Sequence, residues 1–459
     1  MDNKTAVKYL PLIISTAAAS FMVNLDTYII NVSIPAIAAD FLVDKADVSW
    51  VIMSYNLLVV SLLLICGKLA DRIGLKKLFI FGFVLFTLSS LFCAISQNLG
   101  QLIISRIIQG IGASILYALP QAIIGKFLPK EQRGMGFGLS ASAAALGIML
   151  GSPLSGLITG LLSWHWIFLI NIPVGIAIIA LILKNGNLFY DKIENNVMRY
   201  SNFDIKGSIL SFFAILGLTF WLNRLNTFGF SNPILIILLI ISLILSLWFI
   251  IHCLKEENAL VDLNLFKNRY FTAGNIAMFL ISAFLAGNNF LMPFYLTEVK
   301  SFSEVQIGSL FVIYSASYMT FSLIYGKISK NINAAKISSI AGILSVFSIL
   351  IFILNIQKTS SLYIILFFIL LGISFSFFIT SNNNFIMAQA KENNAGAVAG
   401  LHRMTGRFGM LFGVVIFEFL FSFFNTLNIN GYVYTYIAGL LICLSAGILS
   451  IFCISDKKI

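Results

Sequence analysis

Charge is scarce in this chain of 459 residues: Asp, Glu, Lys and Arg together make up 10% of it, against roughly a quarter in ordinary soluble domains. That scarcity, with 59% hydrophobic residues and a mean hydropathy of +0.97, excludes a soluble globular protein and leaves no polar stretch long enough for a sizeable water-exposed domain. Proline is sparse too, at 8 residues, and the long Leu and Ile runs do not alternate with polar side chains. A membrane barrel needs that period-two alternation, so the expected class is an all-α integral membrane protein. The five cysteines (Cys66, Cys93, Cys253, Cys443, Cys453) sit in or beside apolar runs, without the paired spacing of a metal site or a disulfide framework. No metal and no cofactor is expected. The chain has no HExxH motif, phosphate-binding loop or nucleophile with a nearby base, which argues against an enzyme. The opening MDNKTAVKYLPLIIS has no small-residue cleavage site, so the first apolar run is expected to stay as a span.

What is present is a set of apolar segments of membrane length. A helical span takes about 20 residues, and fourteen such segments lie near 8–33, 48–69, 78–97, 100–123, 134–162, 165–184, 205–225, 231–254, 271–295, 305–327, 335–356, 361–384, 397–425 and 431–454. The net charge of +11 then reads as orientation rather than as affinity for nucleic acid, because Lys and Arg accumulate in cytoplasmic loops. With both termini cytoplasmic, Lys45, Arg224, Lys300 and Lys358 fall outside, Arg106, Arg403 and Arg407 fall within spans, and every other basic residue falls inside. An odd span count scrambles that segregation.

The most polar stretches, 185–204 and 255–270, flank the seventh and eighth spans. They divide the chain into a six-helix bundle at 1–184, a segment at 185–270 carrying two inserted spans, and a second six-helix bundle at 271–459. Gly67-Lys68-Leu69-Ala70-Asp71 after span 2 is echoed by Gly326-Lys327-Ile328-Ser329-Lys330 after span 10, at the same place in its six-span unit. A duplicated transporter architecture accounts for that echo.

GKLADRIGLKK, residues 67–77, packs Gly67, Asp71, Arg72 and Gly74 into one short turn. Glycine at 67 permits close helix approach and at 74 a tight turn, and Asp71 can pair with a base or cap a helix. A positive-inside loop explains the lysines but not that spacing. The segment resembles the G-x-L-A-D-R-x-G-R-K loop of the major facilitator superfamily, with Leu75 in place of a basic residue. In that family the loop is a latch that gates between inward-open and outward-open states.

Further segments narrow the resemblance. LDTYIINVSIP at 25–35 is similar to the L-D-x-T-I-V-N-V-A-L-P signature of fourteen-span drug:proton antiporters, with Tyr28 where Thr is usual. SWHWIFLINIPVG at 163–175 resembles their W-R-W-I-F-x-I-N-x-P-x-G, with His165 replacing Arg, and RIIQGIGAS at 106–114 resembles their R-x-x-Q-G-x-G-A. LNLFKNRYF near 263–271 and the Gly-rich region around Arg407 extend the likeness over essentially the whole chain. The span 5 antiporter motif G-x-x-x-G-P-x-x-G-G aligns on Pro153, but Ile148, Ser152 and Leu157 stand at three of its glycine positions. Gly147 and Gly151, then Gly156 and Gly160, still supply small-xxx-small spacings for close packing.

A carboxylate inside a span costs roughly 2.5 to 3.5 kcal/mol on insertion scales and is a functional candidate by default. Asp26, between Asn24 and Asn31, is either a site of reversible protonation or a permanently paired tie between helices. Glu418, in GVVIFEFLFSFF, is either a titratable site that attracts cationic cargo or a side chain snorkelling to the surface. Arg106 belongs to a motif that the resemblance associates with proton coupling; a structural ion pair is its other reading. Arg403 and Arg407 are expected to face water or headgroups, and His402 beside them is either a sensor of pH near neutrality or simply solvated. Tyr55, Asn56, Gln121, Asn288 and Asn289 interrupt apolar spans, either as lining of a central cavity, with Asn24 and Asn31, or as helix–helix hydrogen-bonding groups.

The expectation is thus a major facilitator fold of fourteen spans, two six-helix bundles plus two extra helices, monomeric in the plasma membrane. It exports amphipathic small molecules, cationic ones among them, by alternating access, in exchange for protons. The alternatives are an exporter or flippase of an endogenous lipid, peptide or metabolite, and a membrane sensor that transports nothing.

Overall fold

The computed structural model describes residues 3–189, 204–256, 263–328, 333–356, 362–389, 395–426 and 430–452, and no strand occurs among them. Fifteen α-helices follow one another: α1 (Asn3–Phe41), α2 (Lys45–Ile73), α3 (Leu75–Ala94), α4 (Leu99–Phe127), α5 (Lys130–Leu161), α6 (Trp166–Leu169), α7 (Asn171–Lys184), α8 (Ile205–Phe228), α9 (Pro233–Lys255), α10 (Arg269–Glu298), α11 (Glu304–Ile328), α12 (Ala334–Asn355), α13 (Leu362–Met387), α14 (Ala395–Thr426) and α15 (Gly431–Phe452). Helices are what a bilayer permits, because each satisfies its own backbone donors and acceptors where no water can.

Thirteen segments among the described residues are long and apolar enough to cross a membrane. One of them, Trp166–Lys184, contains both α6 and α7. The interruption has a local cause: Pro173 has no N–H to donate to the carbonyl of Leu169, and its ring crowds that oxygen. The fourteenth expected span is present as α11, of full length at 25 residues. Along it Glu304, Gln306, Tyr314, Ser315, Ser317 and Tyr318 stand among apolar residues. At the other extreme is α9, with a mean hydropathy of 3.3 and only 11% of its most apolar window buried. Its Ile234, Ile237, Leu247 and Trp248 are all exposed, as a lipid-facing helix requires.

The chain forms two compact units, residues 1–215 with 256–260, and 216–255 with 261–459. Each repeats one pattern of helix pairing. In the first, α1 packs on α5, α2 and α3 on α4, and α3 on α7; in the second, α10 packs on α14, α11 and α12 on α13, and α12 on α15. These partners correspond one for one along the two six-span halves, which is what an internal duplication implies.

Glycine sets the closeness of the key pairs. A Cβ on Gly147 meets the Phe21 carbonyl oxygen at 2.5 Å, and one on Gly151 meets Tyr28 Cβ at 2.6 Å, so α5 lies backbone-close against the middle of α1. In the second unit Gly409 and Gly413 face the carbonyls of Phe279 and Ala283 on α10 in the same way. This is the small-residue packing that substitutes for a hydrophobic driving force in lipid.

Candidate functional site

Asp26 stands in the middle of α1 and is wholly buried. Its Oδ2 accepts a hydrogen bond from Arg106 Nη1 at 2.7 Å, forming an ion pair between two side chains that are both out of contact with solvent. Its Oδ1 accepts from Gln109 Nε2 at 2.9 Å and from Asn171 Nδ2 at 3.1 Å. Arg106 also donates through Nη1 to Gln109 Oε1 at 2.7 Å and through Nε to the Val51 carbonyl at 3.1 Å. Its guanidinium lies over the Tyr55 ring, 4.0 Å from the centroid. Ser90 on α3 accepts from Gln109 Nε2 at 2.8 Å and marks the far edge of the group.

Local sequence explains how five helices deliver these atoms. Arg106 and Gln109 are three apart on α4 and so share a face. Next to them, Gly110 admits the Tyr55 backbone of α2 and Gly112 that of Phe86 on α3. The break before Pro173 puts Asn171 at the start of α7, where its side chain reaches the carboxylate. On α5, Ser152 stands at a motif glycine position and donates to the Tyr28 carbonyl at 3.3 Å, so that helix still closes on α1. Pro153 and Gly156 continue α5 one turn beyond it.

A dry ion pair is not free stabilisation. Desolvation of both charges offsets their attraction, yet removing one partner leaves the other uncompensated at about 3–5 kcal/mol. The supporting amides and the Tyr55 face therefore matter as much as the charges. The Asp26 carboxylate is what ties α1 to α4 and α7 together.

The other expected residues are scattered. Asn24 donates to the Ser20 carbonyl of its own helix at 2.7 Å, and Asn56 to that of Ile52 at 3.1 Å. Asn31 and Asn289 are buried. Asn288 accepts from Tyr436 at 2.9 Å, a contact between α10 and α15. Glu418 is buried at 2% exposure and accepts from Asn223 of α8 at 3.4 Å, so it does not snorkel. Gly74 turns the chain between α2 and α3 at φ 94°, a left-handed conformation that glycine adopts without strain. Gly67, Asp71 and Arg72 fall in the last turns of α2, but their side chains lie outside the described residues, as do Ser329 and Lys330 of the echo.

Two expectations need correction. Arg407 is buried, at 6% exposure, while Arg403 alone of the two is exposed. His402 is not solvated but 4% exposed, held between α10 and α13. Neighbouring helices cover both side chains, which no pattern along α14 itself reveals. Gln109, Asn171 and Ser90 were not singled out as site residues; the first two lie inside the RIIQGIGAS and FLINIPVG segments, whose resemblance was the available signal.

A helical chain of span-length apolar segments in two like halves, with a buried ion pair at the centre of the first, is a polytopic membrane protein of the carrier type. It belongs to the Major Facilitator Superfamily, whose family pattern matches residues 16–254 and 274–458. It is similar to the riboflavin transporter RibZ of Clostridioides difficile, 32% identical over 89% of this chain and 87% of that one. It is also similar to the multidrug resistance protein MdtD of Escherichia coli O1:K1, 29% identical over 89% and 86%. Among solved structures, a peptide transporter of the POT family superimposes with a TM-score of 0.72 over 98% of this chain and 97% of that one at 12% identity. The nucleoside transporter NupG does so with 0.66 over 97% and 100% at 13%. At those identities the likeness is one of fold. The chain is a membrane transporter and not an enzyme.

Proposed function

We propose that this transporter exports amphipathic small molecules, cationic ones included, in exchange for protons by alternating access, from a plasma membrane in which both its termini are cytoplasmic and it acts as a monomer. The Asp26–Arg106 pair carries this reading, because it is a buried carboxylate whose protonation state governs a contact between α1, α4 and α7. Taking up a proton neutralises Asp26, releases the Arg106 guanidinium to its other partners, Gln109 Oε1 and the Val51 carbonyl, and loosens the hold of α1 on α4. Loss of the proton restores the pair. Glu418 is the second acid of the cycle, and the turn containing Gly67, Asp71, Arg72 and Gly74 acts as the gate. The relatives named for multidrug resistance support the cargo class.

A second reading, export or uptake of an endogenous metabolite, is favoured by the relative named a riboflavin transporter. Cargo-driven proton movement in proteoliposomes separates them. Amphipathic cations that dissipate an imposed proton gradient only when the protein is present support the first. Flux with riboflavin and none with the cations supports the second. In either case Asp26→Asn is expected to abolish uphill transport while binding persists, and unchanged gradient-driven transport removes Asp26 from the cycle.

A further inference from the structure

His402, at the start of the membrane span of α14, is buried at 4% exposure, and both of its ring nitrogens face amide side chains. Nδ1 lies 3.0 Å from Asn275 Oδ1 on α10, and Nε2 lies 2.7 Å from Asn383 Oδ1 on α13. The Asn275 amide has a fixed sense, since its Nδ2 donates to the Phe271 carbonyl at 2.8 Å. Its oxygen must therefore point at the imidazole, and Nδ1 must carry a hydrogen. A neutral ring then has Nε2 as an acceptor, which cannot bond the Asn383 oxygen across 2.7 Å. Only two arrangements satisfy the contact: an imidazolium donating to both oxygens, or a neutral ring with the Asn383 amide turned so that its NH2 donates to Nε2. Among the described residues no other hydrogen bond restrains that turn.

We propose that His402, Asn275 and Asn383 form a proton-binding site in the second unit, in which uptake of one proton is coupled to rotation of the Asn383 amide. The surroundings make the site discrete. Phe271, Ala335, Phe385, Ile386, Val398 and Leu401 form an apolar cluster around the meeting of these helices. Asn383 itself is exposed, so the proton has a way in along the side chain that turns. The charges on neighbouring elements are few: Lys267 just before α10, Arg269 and Glu298 on α10 and Lys336 on α12 are exposed, and α13 and α15 bring none among their described residues. On α14 itself Arg403 is exposed and adjacent, while Arg407 lies buried a turn further on and Glu418 several turns away. The site does not depend on the Asp26 cycle, and proton binding to it is measured directly.

With three histidines in the chain, His165→Asn with His252→Gln leaves His402 as the sole imidazole. In the 15N-histidine-labelled full chain in lipid, the two ring nitrogens are expected to be inequivalent at about pH 8 and to converge on imidazolium values in one step on acidification. Asn383→Leu removes an acceptor of the charged form and should lower proton affinity about tenfold, whereas Asn383→Asp, at an exposed position that tolerates charge, should raise it by at least as much. Ring nitrogens that stay inequivalent throughout overturn the site. So does a step that neither substitution moves, including one unmoved by Asn383→Asp when Asn383→Leu fails to fold.

Discussion

The two units share a packing plan but not a polar chemistry. In the first, α1 and α5 close on each other through Gly147 and Gly151, and in the second α10 and α14 do so through Gly409 and Gly413. Beside the first pair sits a compact charged group, Asp26 with Arg106, wrapped by Gln109, Asn171 and Tyr55. Beside the second, the buried residues Arg407 and Glu418 stand on one helix, about 16 Å apart along its axis at 1.5 Å per residue, and neutral amides join the helices. His402 faces Asn275 and Asn383, Asn382 donates to the Gly274 carbonyl, and Asn288 accepts from Tyr436. Duplication kept what backbone contact demands and left the polar interior free to diverge. A close glycine contact tolerates no larger residue, while a buried polar group needs only some partner.

The largest expected effect breaks the charged group. Arg106→Leu leaves Asp26 buried without its counter-charge and should cost about 3–5 kcal/mol, seen as loss of folded protein in size-exclusion profiles. Asp26→Asn with Arg106→Gln should recover folding without gradient-driven transport. Equal yields of Arg106→Leu and parent remove the contrast between the units.

Next come the glycines. Gly151→Val and Gly413→Val should each lower stability by about 1–3 kcal/mol through overpacking, measured as thermal unfolding in detergent. A loss confined to one unit breaks the shared plan.

The smallest effect concerns pH. His165, between α5 and α6, stacks on Trp164 with ring centroids 3.7 Å apart, and Trp164 donates to Asp40 at 3.0 Å. Partial burial pushes the His165 imidazole below its ordinary range, and the Asp40 carboxylate pulls it part of the way back. A group depressed on folding contributes stability that is present above its unfolded value, near pH 6.5, and lost as pH falls through the folded one. Unfolding temperature should therefore decline slightly more in the parent than in His165→Gln on acidification below about pH 6.5. Parallel curves remove the effect.

Much of the first unit's site was legible because its parts lie in short recognisable segments. Asp26, Arg106, Gln109 and Asn171 occur in three stretches that resemble one family, although only the first two were read as functional. The second unit offered no comparable cue. His402 beside two arginines reads as a surface residue, and its burial comes from Asn275 and Asn383 on other helices. Glu418 was ambiguous for the same reason, since the side chain near it comes from α8, 195 residues earlier.

Composition alone determined that this chain lives in a bilayer as a set of helices. A hydrocarbon solvent rejects charge and unbonded backbone, and both requirements are written residue by residue. Hydropathy also located the spans, α11 among them. Only the tertiary structure decided that Asp26 is paired and with what, because its partners lie 80, 83 and 145 residues further on. It also decided that α14 hides a histidine, through a partner 127 residues away. A helix's own sequence sets which residues share a face, and the neighbours packed against that face set whether it meets lipid, water or another side chain.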